Sequence, residues 1–172
     1  GLSLDLKNPK GREIFLRLLE RADVLIENFS PGAMDRLGLG HDALLQRNPR
    51  LIYAAASGYG QTGPDRDRLA MDLTIQAAAG MMHTTGFPDG PPTKAGPTVC
   101  DFIGGTHLYG AVMTALFARE RTGKGTFVEV AMQDAAYSTL ASAIGMHFGG
   151  ARGKVGLLAG VIQAELRAPG LR

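Results

Sequence analysis

Residues 123–140 read GKGTFVEVAMQDAAYSTL. A glycine-bearing turn leads into an alternating strand, the strand leads into a helix start, and Asp134 stands at that junction. A carboxylate in the first turn of a helix is stabilised by free backbone N–H groups and by the helix dipole. A plain helix-terminal charge therefore accounts for its position. The same placement suits a nucleophile, because a carboxylate held at a strand end can attack an activated acyl carbon and form an anhydride. Neighbouring N–H groups, or the Gln133 amide, can orient it or stabilise an oxyanion. Pattern alone does not choose between the two.

Other stretches offer chemistry on similar terms. In ENFSPGAMDRLG (27–38), Ser30 and Pro31 open a short helical turn whose start can hold an anion. Arg36 follows one turn later and can pair with a phosphate, or simply be a surface arginine. SGYGQTGP (57–64) places glycines after a strand end, where a ligand can approach the backbone closely. It is neither a Walker loop nor a dinucleotide fingerprint, and a bare glycine turn explains it equally. Asp72 in AMDLTIQ and Asp101 in CDFIGG each open a helical segment, as caps do, and paired acids also perform acid–base work. His107 stands alone on a helix and reads as a packed or solvated side chain. No His, Cys and acid spacing suits a metal.

These residues need a scaffold, and the patterning supplies one. NPKGREIFLRLLERA predicts an amphipathic helix with Asn8 as N-cap, Pro9 in first position and apolar Ile14, Phe15, Leu18, Leu19 and Ala22. DVLIENF predicts a strand buried on both faces. HDALLQRN predicts a short helix before Pro49, and RLIYAAASGYG a second strand ending in a glycine turn. QTGPDRDRLAMD reads as a polar loop and LTIQAAAGMM as a helix. HTTGFPDGPPTKAGPTVCDFIGG carries too much Gly and Pro for a regular element and reads as a functional loop. THLYGAVMTALFARER is a long helix, apolar at Leu108, Val112, Ala115 and Leu116 and stopped by TGKG. A strand (TFVEVAM) and one helix (QDAAYSTLASAIGMHF) follow. The rhythm predicts an α/β fold with a parallel sheet flanked by helices. No internal repeat is visible, and residues 148–172 show no clear periodicity.

Composition narrows the function classes. The 172 residues are 45% hydrophobic and 20% charged, with a net charge of +2. That balance suits a globular chain and gives no basic run for nucleic acid. Apolar stretches are short and broken by glycine, so no membrane span is expected, and the N-terminus has no signal-peptide pattern. A single cysteine, Cys100, excludes an internal disulfide and fits a reducing, cytoplasmic setting.

The motifs ENFSPGAMDRLG, SGYGQTGP, DLTIQAAAG, TTGFPDGPP, DFIGG and RTGKGTFVEVAMQDA occur in this order. Together, from about Leu4 to about His147, they resemble the class III CoA-transferases, the family of formyl-CoA transferase and carnitine CoA-transferase. The resemblance implies a Rossmann-like large domain, incomplete at both ends, over residues 1–147, with 148–172 as a divergent or truncated tail. It makes Asp134 the nucleophile, with Asp72 in the place of an assisting Glu and Gln133 beside it. It assigns Asn28, Phe29, Arg36 and Leu37, with Ser57, Gly58 and Tyr59, to coenzyme A. CoA is then a substrate, with no permanently bound cofactor and no metal. The partners implied are an acyl-CoA and a free carboxylate, without nucleic acid or membrane. Family members form an interlaced homodimer of ring-shaped subunits, which 172 residues cannot complete, so this polypeptide alone is expected to be weakly active or inactive. The fold also hosts α-methylacyl-CoA racemase, whose catalytic Asp corresponds to Asp101. Met71 stands where that enzyme has a His base, and Asp134 where it has Glu, and both departures favour transfer. An inactive nucleotide-binding fragment is the non-enzyme alternative.

Overall fold

A computed structural model gives the fold and describes residues 1–87 and 89–149. Its elements, in order, are α1 (Pro9–Leu19), β1 (Val24–Glu27), α2 (Ala33–Arg36), α3 (His41–Arg47) and β2 (Ile52–Ser57). Then come α4 (Asp72–Ala78), α5 (Met81–Thr84), α6 (Val99–Thr122), β3 (Thr126–Ala131), α7 (Met132–Ser138) and α8 (Ala141–Phe148). The strands form one parallel sheet in the order β1-β2-β3. Glu27 pairs with Ala55, and Ala55 with Glu129, so the strand ends lie together along one edge.

Alternation along β2 sorts the core into two faces, as period-two geometry requires. Tyr53 and Ala55 face one way and pack with Leu19 of α1, Met34 of α2, Leu44 of α3 and, from the neighbouring strands, Leu25 and Phe127. Ala54 faces the other way and packs with Leu108 and Val112 of α6, joined by Val24, Ala56 and Val128. A third cluster lies among the helices, where Ile75 of α4, Cys100 of α6 and Ala136 of α7 meet.

Several local signals act as expected. The Asn8 side chain accepts from Lys10 N at 2.9 Å, with Pro9 opening α1. Leu108, Val112 and Ala115 are the buried stripe of α6. Other boundaries differ from the periodicity for identifiable reasons. β1 is an edge strand among the described residues, so Ile26 is 62% exposed rather than buried on both faces. The segment 83–105 is not wholly irregular. His83 and Thr84 close α5, and α6 begins at Val99, seven residues before the expected start at Thr106. Gly104 sits inside α6, where a Cβ would come within 3.1 Å of Met132, so that glycine serves helix–helix contact rather than a turn. The helix expected over 73–82 breaks at Ala79–Gly80, and the one expected over 133–148 breaks at Thr139–Leu140. The cap of α2 is Gly32 rather than Ser30; the Ser30 carbonyl accepts from Ala33 N at 2.9 Å. The expectation for 148–172 lies outside the described residues beyond Gly149.

Candidate functional site

The carboxyl edge of the sheet gathers most of the candidate residues. β1 runs out into Asn28 and Phe29, β2 into Ser57, Gly58 and Tyr59, and β3 into Gln133 and Asp134. Ser57 pairs with Ala131, which brings the last two groups side by side. Gln133 N then donates to Gly58 O at 3.0 Å and ties the start of α7 to the glycine turn. β1 lies on the other side of β2, about 10 Å from β3 at two strand spacings. Ligands of open parallel sheets bind along such carboxyl edges.

Asp134 occupies the first turn of α7 and is exposed. Among the described residues its carboxylate makes no hydrogen bond or ion pair. Its neighbours Ala135 and Ala136 are buried, and Ala136 packs against α4 and α6, so a rigid segment carries an unengaged carboxylate.

Asp72 has the opposite environment. It is only 6% exposed. Its Oδ1 accepts from Cys100 N at 2.7 Å and Asp101 N at 3.4 Å, while Oδ2 accepts from Gln76 Nε2 at 2.6 Å. Gln76 is held in turn by Ala95 N, which donates to its Oε1 at 2.9 Å. The N-cap residue of α6, Thr98, makes no side-chain cap. Asp72 therefore caps α6 from a different element, where its charge also meets the positive end of a 24-residue helix. Asp101, in that first turn, is exposed. Met71 is 74% exposed and carries no titratable proton for a racemase-like exchange.

Gly58 shows why the turn after β2 needs glycine. A Cβ there would overlap the Ala70 side chain, so the space beside it is already filled by protein. Tyr59 packs partly into the helical cluster beside Ile75 and Cys100, and Ser57 Oγ accepts from Gly60 N at 2.9 Å. Leu37 joins the first core cluster, and its carbonyl accepts from Arg12 Nη1 at 3.1 Å. Asn28 is exposed and Phe29 is 53% exposed.

Beside this edge a cavity of about 480 Å³ opens over the face of the sheet covered by α1–α3. Its deeper wall includes the buried Tyr53 and Met34, and exposed Asp35, Arg36, Thr62, Arg66 and Asp67 form the mouth. The His41 ring stacks on Phe127 with centroids 4.2 Å apart. Burial raises the Glu27 carboxyl above its ordinary range, against hydrogen bonds from Phe29 N and Tyr53 and with a push from Asp35. Burial also raises the Tyr53 phenol, reinforced by Glu27 and Asp35. Of the sequence-assigned CoA residues, only Arg36 lines this cavity. The Arg36 Nη1 would be 3.1 Å from a Cβ at Gly32, so the guanidinium folds over that glycine.

Sequence reasoning passed over Gln76, although its spacing of four from Asp72 is a helical hydrogen-bonding pair. It also passed over Glu27, Tyr53 and Phe127, which converge only through strand register, and His41, which the start of α3 lays against Phe127. Arg66 lay unremarked in a polar loop. Among the described residues no group of His, Cys, Asp and Glu is arranged to hold a metal, and no helix is long and apolar enough to cross a membrane.

Comparison with known proteins fits this geometry. The sequence model of CoA-transferase family III matches residues 1–162. An acetyl-CoA:oxalate CoA-transferase of Acetobacter aceti is 50% identical over 145 residues, covering 84% of this chain and 37% of that protein. A formyl-CoA:oxalate CoA-transferase of Streptomyces avermitilis is 44% identical over 135 residues, covering 78% and 33%. The chain thus spans about a third of the length of these relatives. A crystal structure of a CAIB/BAIF family protein from Brucella suis superposes with a TM-score of 0.84 at 38% identity, covering 89% of this chain and 41% of that one. A Mycobacterium tuberculosis protein gives 0.80 at 41% identity, covering 86% and 41%.

Proposed function

The chain belongs to CoA-transferase family III, and from that premise we propose that it moves coenzyme A from an acyl-CoA thioester to a free carboxylate, with Asp134 as the covalent relay. The observation that supports this most is the contrast between two acids. Asp72 is buried and consumed by three hydrogen bonds, whereas Asp134 is exposed and unengaged at the carboxyl edge of the sheet.

The steps balance without an external reductant or nucleoside triphosphate. An Asp134 oxygen attacks the thioester carbon, the C–S bond breaks, and CoA leaves as thiolate from an acyl–aspartyl anhydride. The thiolate attacks the aspartyl carbonyl, the donor acid departs with that oxygen, and an aspartyl-CoA thioester remains. The acceptor carboxylate attacks this thioester, forming a second anhydride and freeing the thiolate again. The thiolate then takes the acceptor acyl group and returns Asp134 as carboxylate. One thioester is broken and one is made, so the energies nearly cancel. A rigid strand end suits this role because the nucleophile must meet acyl carbon and thiolate in turn with little reorganisation.

Oxalate is the acceptor to test first and acetyl-CoA or formyl-CoA the donor, because the relatives are named for them. In this reading Asp72 shapes the site through α6, and Gln133 orients the nucleophile. Asn28, Phe29, Arg36 and the turn 57–59 border the CoA. The working enzyme is a cytoplasmic homodimer.

Trapping provides the test. After incubation with acetyl-CoA, hydroxylamine or borohydride should leave a modified Asp134 by peptide mass spectrometry. Asp134→Ala should give neither the adduct nor exchange. A polypeptide that binds CoA yet is never modified supports the nucleotide-binding alternative instead.

A further inference from the structure

We infer that Arg66 is a second cationic contact for the phosphoryl groups of CoA, sharing with Arg36 the lining of the 480 Å³ cavity. The inference rests on the CoA-transfer reading and adds a residue that neither the motifs nor the strand ends supply. Arg36 reaches the mouth from α2, after β1, while Arg66 reaches it from the segment between β2 and α4. The two belong to different crossovers, and the fold alone brings them to one opening.

Both guanidiniums are available. The Arg36 side chain has no hydrogen bond or ion pair among the described residues. Arg66 has one weak contact, Nε to Oδ2 of the adjacent Asp67 at 3.5 Å, between side chains 55% and 79% exposed. Such a pair contributes little and releases readily. Several other arginines are committed. Arg68 pairs with Asp65 at 3.2 Å, Arg47 with Glu20, and Arg12 and Arg50 with carbonyls.

Charge gives a second arginine a purpose. Glu27, Asp35, Asp67 and Glu129 also line the cavity, so its wall repels an anion. CoA brings a 3′-phosphate and a pyrophosphate. Two guanidiniums at the mouth offset the acids and can each offer a forked pair of N–H donors to phosphoryl oxygen. The acids that share the lining then favour the amine-bearing base over a second anion. The loop that carries Arg66 is anchored at its start, where Gln61 N donates to Glu129 Oε2 at 3.1 Å.

Calorimetric binding of CoA, dephospho-CoA and pantetheine to the unsubstituted chain, Arg66→Ala and Arg68→Ala tests this, with circular dichroism confirming each fold. Arg66→Ala should weaken CoA about tenfold, flatten its salt dependence and leave pantetheine unchanged. Arg68→Ala should change nothing. Weakening confined to CoA assigns the 3′-phosphate, and weakening of dephospho-CoA as well assigns the pyrophosphate. CoA affinity unchanged in Arg66→Ala, or pantetheine weakened equally, overturns the inference while leaving the transfer reading intact. Failure of the unsubstituted chain to bind CoA at all overturns both.

Discussion

Asp72 and Asp134 both stand in the first turn of a seven-residue helix, yet the fold uses them differently. Removing a buried acceptor leaves the donors around it unsatisfied, so Asp72→Ala should cost about 1–3 kcal/mol of stability in denaturant melts. Asp134→Ala should change stability by less than about 0.5 kcal/mol, because the group is exposed and unpartnered. Equal losses would contradict the division of roles. Cys100 is set by the same contacts. Burial, with Asp72 and Asp101 nearby, pushes its thiol up to about 11. The thiol form is therefore favoured in the fold, and the unfolded chain loses its proton first as pH rises. Cys100 thus contributes stability that is complete below about pH 9 and declines toward pH 11. Cys100→Ala should flatten that decline in melts across the window, and iodoacetamide should label the native thiol slowly at pH 8. Glu27 has the same sign at lower pH. Its raised carboxyl is disfavoured as an anion, so the stability of Glu27→Gln relative to the natural chain should increase from pH 4 to pH 7. A constant difference would argue against the buried setting.

At the scale of elements, much was legible because local rules and tertiary packing agree. The Asn8–Pro9 start of α1 and the stripe Leu108–Val112–Ala115 follow from capping and period alone. The start of α6 was legible only in part: Asp101 reads as a helix opener, but Gly104 and Gly105 read as a loop until Met132 is seen against Gly104. The capping of α6 by Asp72 was equally hidden, since the two elements are joined only by the fold. The strand-end grouping around Asp134 was readable from motif order. The cavity was not, because Glu27, Tyr53 and Phe127 meet through parallel register. Gly58 links turn and helix. Gly58→Ala would force its Cβ into Ala70 and disturb the bond to Gln133 N. Overpacking of this kind costs about 1–3 kcal/mol, so a measurable loss in thermal melts is expected. An unchanged melt would mean that the turn relaxes freely.

The whole molecule displays apolar and edge surfaces that parallel α/β folds normally cover. Phe102, Tyr109, Met113 and Phe117 form an exposed stripe along α6 at helical spacing, with exposures of 74, 67, 47 and 62%. β1 and β3 are open edges among the described residues, whereas parallel sheets are normally enclosed. The solved relatives are more than twice as long as the matched region. The 172-residue polypeptide should therefore bind an apolar dye and self-associate in light scattering. A dye-silent monomer would show that these faces are satisfied within the chain.

The central claim is that an Asp134 oxygen is exchanged during transfer, and isotopic labelling reads that directly. With ¹⁸O-labelled oxalate as acceptor, the aspartyl-CoA thioester takes its new oxygen from the acceptor. Mass spectrometry should then find ¹⁸O in the peptide bearing Asp134 as oxalyl-CoA accumulates. Oxalyl-CoA formed while that peptide stays unlabelled would contradict the account.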